Sequence, residues 1–485
     1  MNNPSVTQSR WNLRRHERIS LLVTICALVA FGILQERRTA LRHAPMTDLG
    51  VFCIASGAIW SGQNPYAIPD WHGWHYQYPP ALAILFLPLA EPVPLSPPIL
   101  PPGELKTVVN TPWGYPVDGK NYYGFHAENT HFFFVVAAWY ILSVLGILLS
   151  AHALACALEG AKLHTPPPED ALARRRWWWR RLLPLAVCAG SLATDLSRGQ
   201  ADILMLTAIA LGVYLISTRA NFKAGLCFAF PATVKLFPPL LLAYPFIRRQ
   251  WNMALGVVAG LFILLAVLPL ATLGPKRTTE LYQCWIEVLA KPALGHGTDT
   301  SRLRELTGMG STDNQSLLAT LHNWTHHSLP RDQRPAEAAP WERNTVYAVG
   351  ALMIIATLCV TGFRRTDSPH ELLAITGLLV GIALVASPIV HNFYYLLMLP
   401  LVSVLIDLGL PQGNQSKMNW KLLLPVVVFM LGDLLARLPG IGRMLRDNGV
   451  TTVSLLWLLA AGTVFLAGQA KLHRTPAIIE APTMQ

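Results

Sequence analysis

Nine apolar stretches long enough to cross a bilayer are strung along this chain, at about 19 to 36, 131 to 157, 199 to 217, 251 to 273, 344 to 363, 371 to 389, 393 to 409, 420 to 437 and 450 to 469. A chain built this way cannot hide its apolar surface from water. Inside a bilayer each backbone N–H and C=O must be satisfied by the protein itself, so runs of this length are expected to fold as helices. Charged residues make up 13% of the 485, about half the share usual in a soluble domain, and 52% are hydrophobic. These features exclude a soluble enzyme, a secreted disulfide scaffold and a disordered chain.

The net charge of +11 sits mostly in short clusters beside apolar runs, such as Arg174-Arg175-Arg176 and Arg248-Arg249. Inner loops of membrane proteins have this pattern, so membrane lipids are expected partners and nucleic acid is not. The seven cysteines form no CxxC pair, and five lie in apolar runs where a thiol packs as a small hydrophobe. No metal site follows from them, and neither a metal nor a cofactor is expected. The N-terminus has the basic flank of a signal peptide. However, Arg37-Arg38 follow the apolar run with no A-x-A-like site before them, which reads as an uncleaved first span.

Residues 224 to 247 form one apolar block with Lys235 near its centre and Pro238-Pro239 just beyond. Arg219 and Lys223 precede the block and Arg248-Arg249 follow it, so the positive-inside rule places both ends in the cytoplasm. Two short helices meeting at a proline break are therefore expected, with irregular backbone lining a cavity. Residues 79 to 93 read as a re-entrant or surface-lying segment.

The resulting expectation is an all-α, polytopic membrane protein of about twelve transmembrane helices with re-entrant or juxtamembrane helices, in a single membrane domain spanning 1–485. Both termini lie inside in this reading, although Arg37, Arg38 and Arg42 beyond the first span run against it. Two long outer segments result, 37–130 and 274–343. The first holds an aromatic run from Trp71 to Tyr78 and a Pro-rich stretch from Pro92 to Pro102; the second holds Trp285, Trp324, His326-His327 and Trp341. Trp and Tyr at this density suit a membrane interface or a surface on which sugar rings stack. The run from Arg174 to Arg181, with three tryptophans at its centre, reads as an anchor at the inner interface.

This topology sends Asp48, the Ser197-Arg198-Gly199-Gln200 turn, Lys235, Asp313-Asn314-Gln315-Ser316 and His391 to one outer compartment. A carboxylate, cations and a histidine gathered at one face suit an anionic lipid head group. Asp48 precedes a helical stretch ending near Gly62, where an N-cap role alone would account for it. Lys235 beside a Pro-Pro break has few tasks other than binding an anion or pairing with a carboxylate. His391 follows Ser387-Pro388 at a helix end, and His326-His327 has the wrong spacing for one helix face.

Several of these landmarks also resemble a known family. Thr47-Asp48 with Ala55, then Gly62-Gln63-Asn64-Pro65-Tyr66, then Tyr78-Pro79-Pro80 with Pro88-Leu89, is similar to the first outer loop of glycosyltransferase family 87 in the glycosyltransferase C superfamily. Gly199-Gln200, Ala224-Gly225 leading to Lys235, Asn314-Gln315-Ser316 and Ser387-Pro388 follow in the same order, so the likeness spans roughly residues 20 to 410. The chain departs from the family pattern at Asp202, where Asn is frequent, and around His391, where Trp and paired His are frequent.

The resemblance implies a polyprenyl-phosphate-sugar-dependent transferase, with mannose the expected sugar and a lipid or glycan acceptor. It would work on the outer face of the bacterial cytoplasmic membrane in cell-envelope glycan synthesis, without a nucleotide sugar. Asp48 would be the catalytic base of an inverting single displacement. Lys235, Arg198 and His391 would bind the donor phosphate, and Gln200, Asn314, Gln315, Tyr66 and Tyr78 would contact substrate. The alternative from another class is a transporter or flippase for a lipid-linked anionic glycan, in which the cations bind head groups and Asp48 merely caps a helix.

Overall fold

The computed structural model describes residues 14–42, 47–70, 74–90, 116–117, 120–121, 130–235, 238–293, 305, 308–309, 311–330, 333–362, 368–411 and 417–474. Trp71 and the Pro92 to Pro102 stretch lie outside the described residues. The described chain is helical apart from a pair of two-residue strands, Pro116–Val117 and Lys120–Asn121, and one isolated bridge.

Among the described residues, seven helices are long and apolar enough to cross a membrane: Arg15–Leu41, His131–Glu159, Trp251–Ala290, Pro340–Thr361, Pro369–Ala386, Asn392–Gly409 and Val450–Gln469. The chain is thus a multi-pass, all-α membrane protein. Shorter helices, including Asp202–Ser217, Asn221–Val234 and Trp420–Leu435, occupy other stretches expected to cross. A 16-residue helix such as Asp202–Ser217 is about 24 Å long, less than the ~30 Å of a hydrocarbon core. The described residues thus hold seven full-length spans, against the twelve crossings expected.

Burial separates the helices into a centre and a rim. Pro369–Ala386 and Asn392–Gly409 are buried along nearly their whole length, whereas Arg15–Leu41 presents Leu22, Val23 and Ile33 outward. Lipid-facing side chains need not be polar, so such a rim is stable in a membrane and intolerable in water.

One side of the bundle is tied together by ion pairs at helix ends. Glu17, at the start of the first span, accepts from Arg174 and from the Trp178 indole. Arg181 donates to Glu159 at the end of His131–Glu159. Arg176, Arg180 and His370 surround Asp407, and the fully buried Arg248 pairs with Glu371 at 3.3 Å. The Arg174 to Arg181 run is therefore more than an interface anchor: Arg174 and Arg181 are buried, and their carboxylate partners offset the cost of that burial. These contacts place the starts of Arg15–Leu41 and Pro369–Ala386 beside the ends of His131–Glu159 and Asn392–Gly409. The opposite ends of Arg15–Leu41, Pro369–Ala386 and Asn392–Gly409 lead to the 47–48 and 387–391 segments.

The Lys235 block breaks where its prolines demand. Asn221–Val234 ends at Lys235, whose backbone is extended (φ −133°, ψ 150°), and Pro238–Ala243 continues as a 3-10 turn. Its neighbour Trp251–Phe262 crosses it closely, because a Cβ on Gly225 would lie 2.2 Å from the Met253 carbonyl oxygen, and one on Gly256 would lie 2.1 Å from that of Phe222. Small residues at such a crossing let two backbones touch. In the 79–93 region the Pro80–Leu85 helix is too short to cross; it is buried against Leu49–Trp60, where Ser56 donates to the Ala83 carbonyl at 2.7 Å.

Candidate active site

A cavity of about 630 Å³ opens where the 47–48, 198–202 and 387–391 segments meet. Asp48, Arg198, Gln200, Lys235, Asn314 and His391 line it, Arg198 and Gln200 from one turn and the others each from a segment of its own. Its apolar wall comes from Val51, Phe52 and Tyr78, and from Ile354 and Ile382 on two spanning helices.

Asp48 stands at the N-cap position of Leu49–Trp60, yet its side chain caps no backbone N–H. Its own N–H donates to the Arg198 carbonyl at 2.7 Å, which fixes the backbone. The carboxylate instead accepts from Gln200 Nε2 at 2.6 Å and lies 3.6 Å from Arg198 Nη1. About a quarter of the side chain stays exposed, so a carboxylate oxygen can meet a substrate.

Gly199 makes this arrangement possible. The Ala189–Arg198 helix ends there with a left-handed residue (φ 67°, ψ 42°), and the Asp195 carbonyl accepts from both Gly199 and Gln200 N–H groups. A Cβ at Gly199 would stand 2.8 Å from Leu49 Cβ, beside Asp48. Gly199→Ala is accordingly expected to destabilise the fold by on the order of 1 to 3 kcal/mol, from left-handed strain and that overlap. Melting of the purified variant in detergent checks the stability, and its turnover shows whether displacing Leu49 moves Asp48.

Lys235 is buried, and its Nζ sits between the two oxygens of Asp202 at 2.8 and 2.7 Å. Three rings surround the ammonium: Tyr394 with its centroid 4.0 Å away, Phe393 at 5.3 Å and Tyr78 at 5.7 Å. The Arg198 guanidinium lies 5.1 Å from the same Phe393 ring, so one aromatic ring stands beside both cations. Asp202, the chain's departure from the family pattern, is thus the carboxylate partner of Lys235 within an apolar block.

The remaining predicted residues divide. Asn314 lines the cavity and staples its rim, accepting from Ser316 and Val390 N–H groups at 3.0 Å and donating to the Pro388 carbonyl at 3.1 Å. His391 lines the cavity too, with Nδ1 3.1 Å from the Asp313 carbonyl and its ring stacked on Phe393. Burial first, then Arg198, hold its pKa down to about 3. Its Nδ1–H donates to the Asp313 carbonyl, which orients the ring at the cavity wall. Tyr78 forms part of the wall. Gln315 and Tyr66 do not line the cavity: Gln315 is buried and bonded to Thr312 and Thr451, and the Tyr66 hydroxyl donates to the Tyr78 carbonyl.

Other cavity residues escaped sequence reasoning. Glu305 lies 3.0 Å from His75 Nδ1 and accepts from the His75 N–H, and with the half-exposed Trp74 the pair forms a further part of the wall. His75 and Glu305 are 230 residues apart, with no local motif to join them. Asp202 could have been found, since it lies two residues after Gln200 and Lys235 requires a carboxylate or an anion.

The family model described as glycosyltransferase family 87 matches residues 76–388. That span takes in Arg198, Gln200, Asp202, Lys235 and Asn314, while Asp48 and His391 fall outside it. No curated relative and no solved structure gives a significant match. With a match over more than half its length, in a multi-pass helical protein whose polar residues converge on one cavity, the chain belongs to glycosyltransferase family 87 and is a glycosyltransferase.

Proposed function

We propose that this glycosyltransferase moves a sugar, mannose in the first instance, from a polyprenyl-phosphate donor to a lipid or glycan acceptor at the outer face of the bacterial cytoplasmic membrane. The observation that carries this reading is the wall of the cavity: a carboxylate freed from helix capping, held by Gln200, with Arg198 and Lys235 nearby.

In the proposed reaction the acceptor oxygen attacks the anomeric carbon as its proton passes to Asp48. The bond from that carbon to the phosphate oxygen breaks, and the polyprenyl phosphate leaves with the electron pair. Negative charge grows on the leaving oxygen, where Arg198 and Lys235 stabilise it. One base and one displacement invert the anomeric centre.

Three further features support the reading. Tyr347 and Ile354 from Pro340–Thr361, with Ile382, Ala383 and Ala386 from Pro369–Ala386, give the cavity an apolar side continuous with spanning helices, which suits a lipid tail. Arg38, at the end of the first span, lies near enough to Arg198 for the two like charges to repel, and an anionic donor would relieve that repulsion. Trp74 and the His75–Glu305 pair offer a stacking face and hydrogen-bonding groups, as acceptor sugars require. The arginine-rich opposite side supports a cytoplasmic placement there and an outward-facing cavity.

The test is transfer of radiolabel by the purified protein in liposomes. Label is expected to move from polyprenyl-phosphate mannose to an acceptor lipid or glycan and not from a nucleotide mannose. Transfer from the nucleotide sugar in lipid-phosphate-free vesicles would overturn the donor assignment.

A further inference from the structure

A second cluster of reactive side chains lies outside the cavity wall, at the helix that follows Asn314-Gln315-Ser316. Ser316 caps Leu317–Thr325 through its hydroxyl, and the helix places His322 and His326 one turn apart on the same face. Their rings stand 4.4 Å apart. Glu342, in the first turn of Pro340–Thr361, meets them from the next helix, with one oxygen 3.0 Å from His322 Nδ1 and the other 4.0 Å from His326 Nδ1. One ligand atom from each residue lies within 4.8 Å of the other two.

We propose that His322, His326 and Glu342 bind a divalent transition metal, zinc by preference, which clamps Leu317–Thr325 to the start of the Pro340–Thr361 span. His322 and Glu342 are fully buried, and His326 keeps about a quarter of its side chain exposed as an entry. Zinc bonds of about 2.0 to 2.2 Å at tetrahedral angles put ligand atoms roughly 3.3 Å apart, so the cluster closes on an ion with small movements.

The surrounding hydrogen bonds have the form that orients metal ligands: His326 Nδ1 donates to the His322 carbonyl at 2.9 Å, which leaves the Nε2 lone pair of that ring for the ion. His322 Nε2 lies 3.1 Å from the Pro335 carbonyl, a contact that requires the proton on Nε2. In a neutral ring Nδ1 then turns a lone pair toward a carboxylate oxygen 3.0 Å away, and that gap calls for positive charge. A proton fills it for one histidine alone, whereas a metal ion uses both rings and the carboxylate together. Thr325 donates to one Glu342 oxygen and the Ala339 N–H to the other, each at 2.7 Å, which fixes the carboxylate as outer partners do in metal sites. Two imidazoles with one carboxylate suit zinc better than magnesium or calcium, which favour all-oxygen sets. The sequence directs attention to His326-His327, but the productive partner is His322, four residues earlier.

The role is structural. The clamped helix begins where Asn314 and Ser316 hold the Pro388 carbonyl, so the ion would stiffen the cavity rim without touching substrate. The inference is independent of the donor and acceptor assigned above.

Full-length protein, chelator-washed in detergent, is titrated with zinc chloride while binding heat, metal content and melting temperature are followed. About one zinc per chain and a raised melting temperature are expected. His326→Ala is expected to lose the zinc and His327→Ala to keep it. Substoichiometric zinc in the wild type, or equal zinc in His326→Ala, overturns the site. Should His326→Ala fail to fold, cobalt(II) in the wild-type protein decides: intense four-coordinate visible absorption supports the site, and the pale six-coordinate spectrum overturns it.

Discussion

Asp48→Asn is expected to cut turnover about a hundredfold or more, the scale for losing a positioned base, while the protein folds and binds donor normally. A sugar hydroxyl is a poor nucleophile at neutral pH, and an amide cannot accept its proton. Folding is expected to survive because the Asp48 side chain caps no helix N–H, and its backbone is held by the Arg198 carbonyl. Gln200 Nε2 can still donate to the amide oxygen that replaces the carboxylate. Single-turnover transfer with saturating donor, beside melting in detergent, makes the measurement. Near-normal turnover in folded protein would remove Asp48 as the base; loss of folding would point to an architectural role instead.

The second large effect concerns Lys235, where stability and catalysis can be pulled apart. Lys235→Ala strands the Asp202 carboxylate, which has no exposed surface, and breaking a buried pair in this way costs about 3 to 5 kcal/mol. A fall in activity in that variant alone therefore says little about the donor. The double variant Lys235→Met with Asp202→Leu removes both charges, and apolar replacement of a whole pair is often neutral. It is expected to regain most of the lost stability yet stay deficient in turnover, because the ammonium at the leaving phosphate is gone. A double variant that melts and turns over like wild type would make the ion pair purely structural.

Hydropathy and local pattern alone mark the solvent of this protein, its helical class and several of its polar landmarks. Hydropathy is summed over consecutive residues, so the seven full-length spans were legible, and so was the break beyond Val234, because prolines act on their own backbone. Asp48, Arg198, Gln200, Lys235, Asn314 and His391 stood out as polar groups in or beside apolar runs, and the fold gathers all six around one cavity.

Which groups pair was decided only by the tertiary structure. Lys235 takes Asp202, 33 residues away, Asp48 takes Gln200 from 152 residues on, and Glu305 reaches back 230 residues to His75. Gln315 shares a motif with the cavity residue Asn314, and Tyr66 shares an outer loop with Asp48 and Tyr78, yet both turn into the packing. The physical reason lies in the lipid. A spanning helix is apolar on every side, whether it faces a neighbour or an acyl chain, so periodicity does not mark the face that meets the core. Close backbone approaches, such as Gly199 on Leu49 and Gly225 on Met253, choose the neighbours, and those neighbours fix the partner of each buried charge.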